Sequence, residues 1–216
     1  MGQEESLDNT IGIDSDFIEP NYKIENVVAT VVVEIVEPEV RIDLTKILGK
    51  VENTEYNPER FPGLVMRIKE PKGTLLVFST GKFVVTGLRS ASEAPSVVKK
   101  AIKNISKAGI KVLNPKITIQ NIVASGDLHI NIDLNTAAIV MENSMYEPEV
   151  FPGLIYRMQE PKTVFLLFST GKVVCTGAKT KEIVEEAFLK LNRTVRELNV
   201  SQKHFSEKEY DELGFI

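Results

Sequence analysis

The sequence predicts an α+β fold built from two copies of one unit, whose strands form a largely antiparallel sheet. Residues 42–87 align with residues 132–177 without a gap, and 25 of the 46 aligned positions are identical. Short β-branched and aromatic runs alternate with turn residues in each copy, which ends in a long amphipathic stretch. Two copies of about 90 residues each indicate a pseudo-twofold pair of units, because solenoids need three or more short repeats.

Each copy begins with a strand and a short helix. The runs IENVVAT (residues 24–30) and IQNIVAS (residues 119–125) are rich in β-branched residues, which is typical of strands. These runs lie 95 residues apart, so the first copy has five extra residues around 34–40, which we interpret as a longer loop. An Asp at a helix N-cap position then opens DLTKILGKV and DLNTAAIVME, whose apolar residues recur at helical spacing.

Four strands and a second helix complete each predicted copy. After a Phe-Pro-Gly turn come LVMRIKE or LIYRMQE, a Glu-Pro-Lys turn, and TLLVFS or VFLLFS. The sequence Ser-Thr-Gly-Lys makes a tight hairpin into KFVVTG or KVVCTG, and turns of this length favour antiparallel pairing. The residues expected to form the apolar stripes of the long helices are Val97, Ile102, Ile105, Ile183, Ala187, Leu191, Val195 and Leu198.

The two ends of the chain are acidic, whereas its middle is mildly basic. Residues 1–20 hold six acidic residues and no Lys or Arg, and residues 203–216 hold four acidic residues and two lysines. The rest of the chain therefore carries 24 basic and 20 acidic residues. We divide the chain into an acidic tail at 1–20, repeats at 21–110 and 111–202, and a second acidic tail at 203–216. The net positive charge of the chain between the two tails is compatible with a polyanionic binding partner.

The residues of enzymes and metal sites are scarce in this sequence. Cys175 is the single cysteine, so no disulfide forms within the chain and a reducing environment is expected. His129 and His204 are the only histidines, and no Ser-His-Asp set, metal-spaced His/Cys cluster or Walker loop occurs. No apolar run approaches the roughly 20 residues of a membrane span. We therefore expect no catalysis, no cofactor or metal, and no membrane insertion.

The predicted strands carry apolar residues on both faces, although an antiparallel sheet with helices on one side usually presents polar residues on the other. In KFVVTG, for example, Val84 and Thr86 share one face, while Phe83 and Val85 share the opposite face. The helices can cover only one face. The apolar patch on the other face is too large to be exposed to solvent on a monomer that has no use for it in binding. A second sheet or a dimer partner packed on this patch is one alternative.

The composition of the second face favours a nucleic-acid partner. On a face buried by protein, Asn26 and Asn121 would need hydrogen-bond partners. Basic residues also recur at the same points of both copies, and an apolar surface edged by cations fits a minor groove that is read by Asn and opened by apolar wedges. For two of the wedge candidates, which lie in strands, packing in the core is the alternative. The wedge candidates are Phe61, Phe151, and the mid-strand pair Phe78 and Phe168.

The doubled motifs resemble those of the TATA-binding protein family, and of its archaeal type in particular. The first copy reads NVVAT, NPERFPGL, EPK, FSTGK and VVTG, and the second reads NIVAS, EPEVFPGL, EPK, FSTGK and VCTG. The likeness covers about residues 22–200. It implies a saddle-shaped, pseudo-twofold, ten-stranded antiparallel sheet with four helices on its convex face and DNA on its concave face. It also implies a general transcription initiation factor that binds the minor groove of a promoter TATA element.

The resemblance implies a role for each side chain on the concave face. The phenylalanine pairs would wedge the two ends of the bent site, the two asparagines would bind minor-groove acceptors at its centre, and the basic residues would neutralise phosphates. The implied DNA-binding residues are Asn26, Val28, Thr30, Phe61, Arg67, Leu76, Phe78, Lys82, Val84, Thr86, Asn121, Val123, Phe151, Arg157, Leu166, Phe168, Lys172, Val174 and Thr176.

The resemblance further implies protein partners. The loop at residues 146–150, which we call the second stirrup, would bind transcription factor B through Glu147, Glu149 and Val150, and the complex would recruit RNA polymerase. The expected location is the cytoplasm and nucleoid of an archaeal cell, or the nucleus if the source is eukaryotic. A homodimer of the DNA-free protein stays an open alternative.

Two further alternatives concern the convex side and the function as a whole. The helix that carries Lys99, Lys100, Lys103 and Lys107 would serve partners or upstream DNA, or would be a solvated helix face. The saddle could also be a protein- or RNA-interaction module without TATA specificity, because a fold does not fix a function.

Overall fold

The computed structural model describes residues 18–36 and 41–201, which form one ten-stranded antiparallel sheet and four helices. Each repeat has the order strand, helix, four strands, helix, so the predicted fold class and element order are confirmed. The strands are β1 (Asn21–Ile35), β2 (Thr54–Glu55), β3 (Leu64–Ile68), β4 (Gly73–Val77), β5 (Lys82–Leu88), β6 (Val112–Asp127), β7 (Ser144–Met145), β8 (Leu154–Met158), β9 (Thr163–Leu167) and β10 (Lys172–Ala178). The helices are α1 (Leu44–Leu48), α2 (Ala94–Lys107), α3 (Leu134–Val140) and α4 (Lys181–Glu197).

The two repeats meet at the centre of the sheet, where β1 pairs with β6. The strand order is β2-β3-β4-β5-β1-β6-β10-β9-β8-β7, so each repeat supplies one half. Val27 lies opposite Ile122, and these two residues occupy equivalent positions in the repeats. On either side of them, Asn26 faces Val123 and Val28 faces Asn121. The pseudo-twofold axis therefore passes through the Val27–Ile122 pair, and hydrogen bonding continues from one half into the other.

The short helices begin at capping aspartates, as the sequence predicts. Asp43 Oδ1 accepts a hydrogen bond from the backbone N–H of Thr45 at 3.0 Å, and Asp133 Oδ1 accepts one from that of Asn135 at 3.0 Å. Such bonds satisfy N–H groups that have no partner within the helix. A hydroxyl that also donates to each carboxylate, from Thr45 or Thr136, is the main reason that the pKa of both carboxyl groups is lowered.

The long helices cover one face of the sheet with an apolar stripe. The predicted positions of this stripe are buried or half-buried with one exception. The exception is Leu198, which is 38% exposed because α4 ends at the residue before it. The buried apolar residues of the two helices are Ala94, Val97, Val98, Ala101, Ile105, Val184, Ala187, Phe188, Leu191 and Val195.

The strands alternate between this helix-covered face and an open one. In β5, Phe83, Val85 and Leu88 are buried, while Val84 and Thr86 are half-buried. Successive side chains of a strand point to opposite faces, so the buried set marks the core side. Within the described residues, the sheet therefore has one face under the helices and one face without a helix. We call these the convex and the concave face, after the saddle shape that the resemblance implies.

The two halves fill equivalent core space with different side chains. Phe188 of α4 stacks on Tyr22 with ring centroids 5.2 Å apart and meets the edge of Phe165 at 5.4 Å. At the equivalent position in α2 stands the smaller Val98. Gly126 of β6 lies against Phe188, since a Cβ atom built there would be 2.3 Å from the ring. A large residue in the helix is thus matched by a missing side chain in the strand.

Three sequence-based expectations fall wholly or partly outside the described residues. The acidic tails at 1–20 and 203–216 lie outside them, apart from residues 18–20. Of the longer loop predicted around 34–40, Glu34 and Ile35 instead belong to β1, and positions 37–40 are likewise outside the described residues. These expectations stay predictions.

We expect Gly126→Ala to destabilise the fold. Besides the ring of Phe188, the added Cβ would lie 2.4 Å from the backbone oxygen of Asn21, so the strand itself would have to move. Overpacking of this kind costs roughly 1–3 kcal/mol, measured as a lower denaturant midpoint. Gly49→Ala is the control, because its Cβ would have Thr45 O as nearest atom at 3.7 Å. Equal losses in the two variants would contradict this account of the packing.

Candidate nucleic-acid interface

The concave face is open along both halves of the sheet. All ten strands of the described chain belong to one sheet, so a second sheet from these residues does not cover this face, and that alternative is wrong. Cross-strand pairs such as Thr30–Val84 and Val84–Leu76 place the predicted residues side by side. The predicted contact residues that are half-buried here are Val28, Thr30, Leu76, Val84, Thr86, Val123, Leu166, Val174 and Thr176.

An asparagine beside the axis in the first half is held by a backbone amide. Asn26 Oδ1 accepts a hydrogen bond from the N–H of Gly87 at 2.8 Å. Its Nδ2 lies 3.2 Å from Thr86 Oγ1. Because a backbone N–H can only donate, the amide must turn its oxygen toward Gly87. One N–H of Asn26 therefore stays available to an acceptor outside the protein.

The second half repeats this arrangement. Asn121 Oδ1 accepts from the N–H of Gly177 at 2.7 Å, and its Nδ2 lies 3.0 Å from Thr176 Oγ1. The sequence alone indicates no hydrogen-bond partner within the protein for either asparagine, and the structure shows that each has two. The partners could not be predicted because they lie 55 and 60 residues away in sequence. They position each amide without using all of its donors.

A backbone irregularity brings each glycine to its asparagine. The register of β5 against β1 shifts beside Gly87, and that of β10 against β6 shifts beside Gly177. The φ angles of these glycines are +82° and +98°, a region that other residues rarely adopt. A bulge with a left-handed glycine re-aims neighbouring groups, as is common next to functional sites. The glycine of each V-x-T-G motif therefore has a structural role in the site.

Two phenylalanine pairs lie at the outer ends of the face. The Phe61 and Phe78 ring centroids are 5.8 Å apart with an interplanar angle of 65°, and those of Phe151 and Phe168 are 6.0 Å apart at the same angle. Phe61 is 38% exposed, and the other three rings are half-buried. None of the four is locked in the core, so the alternative of core packing for Phe78 and Phe168 is wrong. Their predicted position in mid-strand is also wrong, because each lies one residue beyond the end of its strand, β4 or β9.

Each ring pair rests on a glycine. A Cβ atom built on Gly63 would lie 2.7 Å from Phe61 Cε1, and one built on Gly153 would lie 2.7 Å from Phe151 Cε1. No side chain fits between the backbone and the rings. The repeated Phe-Pro-Gly sequence is thus explained, because its glycine allows two rings to lie against the end of the strand.

The predicted cations are exposed, but their surroundings differ between the halves. Lys82 and Lys172 begin β5 and β10. Arg67 Nη1 donates to Glu55 Oε1 at 2.7 Å, and its Nη2 donates to Oε2 at 3.4 Å. These hydrogen bonds are the main reason that the pKa of Glu55 is lowered and that of Arg67 is raised. No acid among the described residues pairs with Arg157.

A second polar network on the central strands was missed by sequence reasoning. Gln120 Nε2 donates to Thr30 Oγ1 at 2.8 Å, and at the equivalent place Ser125 Oγ donates to Glu25 Oε1 at 2.8 Å. The hydrogen bond from Ser125, followed by that from Arg89, holds the pKa of Glu25 below its usual value. The signal that could have found this network is the repeat offset of 95, which aligns Glu25 with Gln120 and Thr30 with Ser125.

The second stirrup presents its predicted residues to solvent. Val150 is 79% exposed, and Glu147 and Glu149 are exposed beside it. The backbone oxygen of Glu147 accepts hydrogen bonds from the N–H groups of Val150 and Phe151 at 2.9 Å, which closes the loop as a turn. The loop is therefore a short, folded acidic projection next to a phenylalanine pair.

The arrangement has the chemistry of a binding face. Within residues 18–36 and 41–201, no cluster of three or more His, Cys, Asp or Glu residues could hold a metal ion. Burial raises the pKa of the Cys175 thiol to about 12, so this cysteine is a poor nucleophile. None of the helices in this part of the chain is long and apolar enough to cross a membrane.

A pseudo-twofold saddle sheet with one open apolar face defines a class of proteins that bind through the face of a sheet. The family model described as transcription factor TFIID, or TATA-binding protein, matches residues 21–108 and 116–198. The TATA-box-binding proteins of Aeropyrum pernix and Sulfolobus acidocaldarius are each 49% identical to the chain. Their alignments cover 82% of this chain, and 86% and 87% of those proteins respectively.

A solved structure agrees with these relatives. The Methanococcus jannaschii TBP structure is 45% identical, with a TM-score of 0.72, and the match covers 82% of this chain and 98% of that one. The chain belongs to the TATA-binding protein family. The archaeal relatives confirm the predicted archaeal type, and membership of a family of DNA-binding transcription factors confirms that the chain is not an enzyme.

Proposed function

We propose that the chain binds the minor groove of a TATA element in promoter DNA, kinks it, and initiates transcription by recruiting transcription factor B and RNA polymerase. The observation that carries this proposal is the pair of asparagines at the axis of the concave face. In each, Oδ1 accepts a backbone N–H and Nδ2 has one threonine hydroxyl as its partner, which leaves the second N–H of Nδ2 for DNA. The family and the names of its relatives support the same reading.

The position of the asparagines suits the chemistry of an A·T minor groove. A·T and T·A pairs present only acceptors there, while a G·C pair adds the guanine amino group, which is a donor. The free N–H groups of Asn26 and Asn121 match acceptors. The half-buried valines around them would meet a guanine amino group without offering it an acceptor. The proposed binding residues of the face are Val28, Thr30, Leu76, Val84, Thr86, Val123, Leu166, Val174 and Thr176.

The phenylalanine pairs at the two ends of the face supply the proposed wedges. Inserting apolar side chains between base steps unstacks them at a cost of roughly a few kcal/mol per step, a mechanism of which TATA-binding proteins are themselves a known case. The apolar face buried against the widened groove offsets this cost. Kinking is cheapest at flexible TA steps, which adds sequence preference at positions the protein does not touch. Lys82, Lys172, Arg67 and Arg157 would contact phosphates along the edges.

The second stirrup is the proposed site for transcription factor B. It joins two carboxylates to an exposed valine, a combination that offers a basic partner both charge and apolar contact. The equivalent first stirrup, residues 56–60, carries Asn57 and Arg60 in place of Glu147 and Val150. The first stirrup keeps Glu59, but Arg60 balances its charge, so the second stirrup alone has a net negative charge, as a single partner site requires.

We further propose that the concave face pairs with a second copy of the chain when DNA is absent. The face is too apolar to stay solvated over its whole length. Its pseudo-twofold symmetry suits an isologous contact.

Sequence preference tests the proposal directly. A duplex with a TATA element should bind more tightly in a gel shift than one with a G·C pair at the centre of the element. The expected difference is about 5- to 100-fold, since a wrong base pair costs roughly 1–3 kcal/mol. A duplex with the same G·C pair outside the element is the control and should bind like the first. Equal affinity for all three duplexes would remove the TATA assignment.

Phe151→Ala should reduce DNA bending, measured by energy transfer between dyes at the two ends of the duplex. One of the two rings at one of the two kinks is lost, so we expect the total bend to fall by up to about half. Ile139→Ala is the matched control, because Ile139 is highly exposed on α3, away from the concave face. An unchanged bend in Phe151→Ala would show that this ring is not a wedge.

Charge reversal of the second stirrup should separate partner binding from DNA binding. We expect the double variant Glu147→Lys, Glu149→Lys to lose the ternary complex with transcription factor B while its TATA affinity is kept, because like charges would then face a basic partner. The matched control is Asn57→Lys, Glu59→Lys on the first stirrup. A ternary complex that survives the first change in native electrophoresis would refute the assignment.

A further inference from the structure

The groups proposed to read bases are identical in the two halves of the face, apart from Thr30, which is matched by Ser125. The two asparagines, their threonine partners and both phenylalanine pairs recur at equivalent positions. The minor groove offers the same acceptors for A·T and T·A pairs, so these groups cannot distinguish the two directions of a duplex. A preferred direction on DNA must come from residues that differ between the halves.

The clearest charged difference on the face concerns an arginine that is paired in only one half. Arg67 and Arg157 occupy equivalent positions, 90 residues apart. Arg67 makes a bidentate ion pair with Glu55, in which Nη1 lies 2.7 Å from Oε1 and Nη2 lies 3.4 Å from Oε2. Met145 stands where the second half would need the matching acid, and no ion pair of Arg157 exists within the described chain. One of the two cations is thus already neutralised.

The backbone does not account for this difference. The N–H of Arg67 donates to the oxygen of Asn53 at 2.9 Å, and that of Arg157 donates to the oxygen of Asn143 at 3.0 Å. Both arginines lie at the fourth position of a five-residue strand, β3 or β8. The two side chains therefore start from equivalent places, and the acid on the neighbouring strand separates them.

Two other acidic residues near the face form no ion pair, within the described part of the chain, with a cation that is assigned to DNA. Glu25 forms an ion pair with Arg89, a residue that is not among the proposed phosphate contacts. Asp127 lies opposite Lys172 in the sheet, but its Oδ1 accepts the backbone N–H of His129 at 2.8 Å. Glu55 is therefore the one acid of the described residues that forms an ion pair with a cation assigned to DNA.

We propose that Glu55 is a specificity-determining residue that helps to set the direction of the saddle on DNA, by holding Arg67 away from the phosphate that Arg157 binds freely in the other half. This inference rests on the proposed function, because it concerns the same face and the same DNA. Arg67 can reach a phosphate only by giving up Glu55. The first half of the protein therefore binds the DNA backbone less strongly than the second half.

When the two halves of the protein bind the DNA backbone with different strength, one direction of the protein on DNA is preferred if the two halves of the DNA element differ in stiffness. The half of the protein that binds the phosphates more strongly bends its part of the DNA further. The total deformation energy is then lower when that half lies over the more flexible steps. Removing this difference in binding strength should make the occupancies of the two directions more nearly equal.

Energy transfer from the protein to one end of an asymmetric TATA duplex measures this preference. A dye on Lys50→Cys, an exposed position in the first half, reports whether that half lies near or far from the labelled DNA end. The single native cysteine is fully buried and stays unlabelled. We expect the labelled chain with otherwise native residues to occupy the two directions unequally.

Glu55→Met should bring the ratio of the two directions closer to one, by about two- to fivefold, the size expected for one exposed ion pair. The dependence of affinity on salt should also steepen, by up to about 0.9 in log–log slope, because one more cation becomes available to a phosphate. The exchange variant Glu55→Met, Met145→Glu should shift the ratio further in the same direction, since it moves the ion pair to the other half.

The matched control is Glu52→Met, which removes the same charge from the same half but forms no ion pair with Arg67 among the described contacts. Equal direction ratios in Glu52→Met and Glu55→Met would overturn the inference, as would equal occupancy of both directions before substitution. Either result would leave the proposed function standing if TATA DNA is still preferred over the G·C variant. Loss of that preference in the unsubstituted chain would instead identify the proposed function as the part that fails.

Discussion

The rest of this structure depends on the pairing of β1 with β6 across the pseudo-twofold axis. These are the two longest strands, with 15 and 16 residues, and their register places Val27 against Ile122. This pairing joins the two halves into one sheet, although its register shifts at three places along β1. The open sides of both repeats therefore become one continuous concave face. The same register sets Asn26 and Asn121 on either side of the axis. A slip by one residue would turn both amides toward the helices.

The second constraint is that the helices cover only one side of this sheet. Burial of the convex side stabilises the fold, with the buried stripes of α2 and α4 packed against the strands. The concave side keeps apolar groups half-exposed, which the fold alone does not require. Glycines at places such as Gly63 and Gly87 hold rings and amides in defined positions on that side. The face is thus organised before any partner arrives, which lowers the entropic cost of binding.

Duplication explains both the regularity of the site and its exceptions. Apart from Thr30, which is matched by Ser125, groups that would read bases keep their identity in both repeats, because a degenerate groove presents the same acceptors to each half. Other polar groups have diverged: at the margins Glu55 is matched by Met145 and the first stirrup differs from the second, and on the central strands Glu25 is matched by Gln120. Side chains at the margins tolerate change because they are exposed, so direction and partner choice could arise there without disturbing the core.

The sequence by itself determined the repeat, the order of elements, the apolar character of both strand faces and the identity of most site residues. These properties are local, since periodicity, caps and turn residues act within a few positions. Only the tertiary structure decided that Gly87 and Gly177 hold the asparagines, that Glu55 occupies Arg67, and that Gly126 makes room for Phe188. Each of these contacts joins residues whose meeting depends on strand register, bulges or packing across the sheet, and no spacing within one strand or helix encodes it.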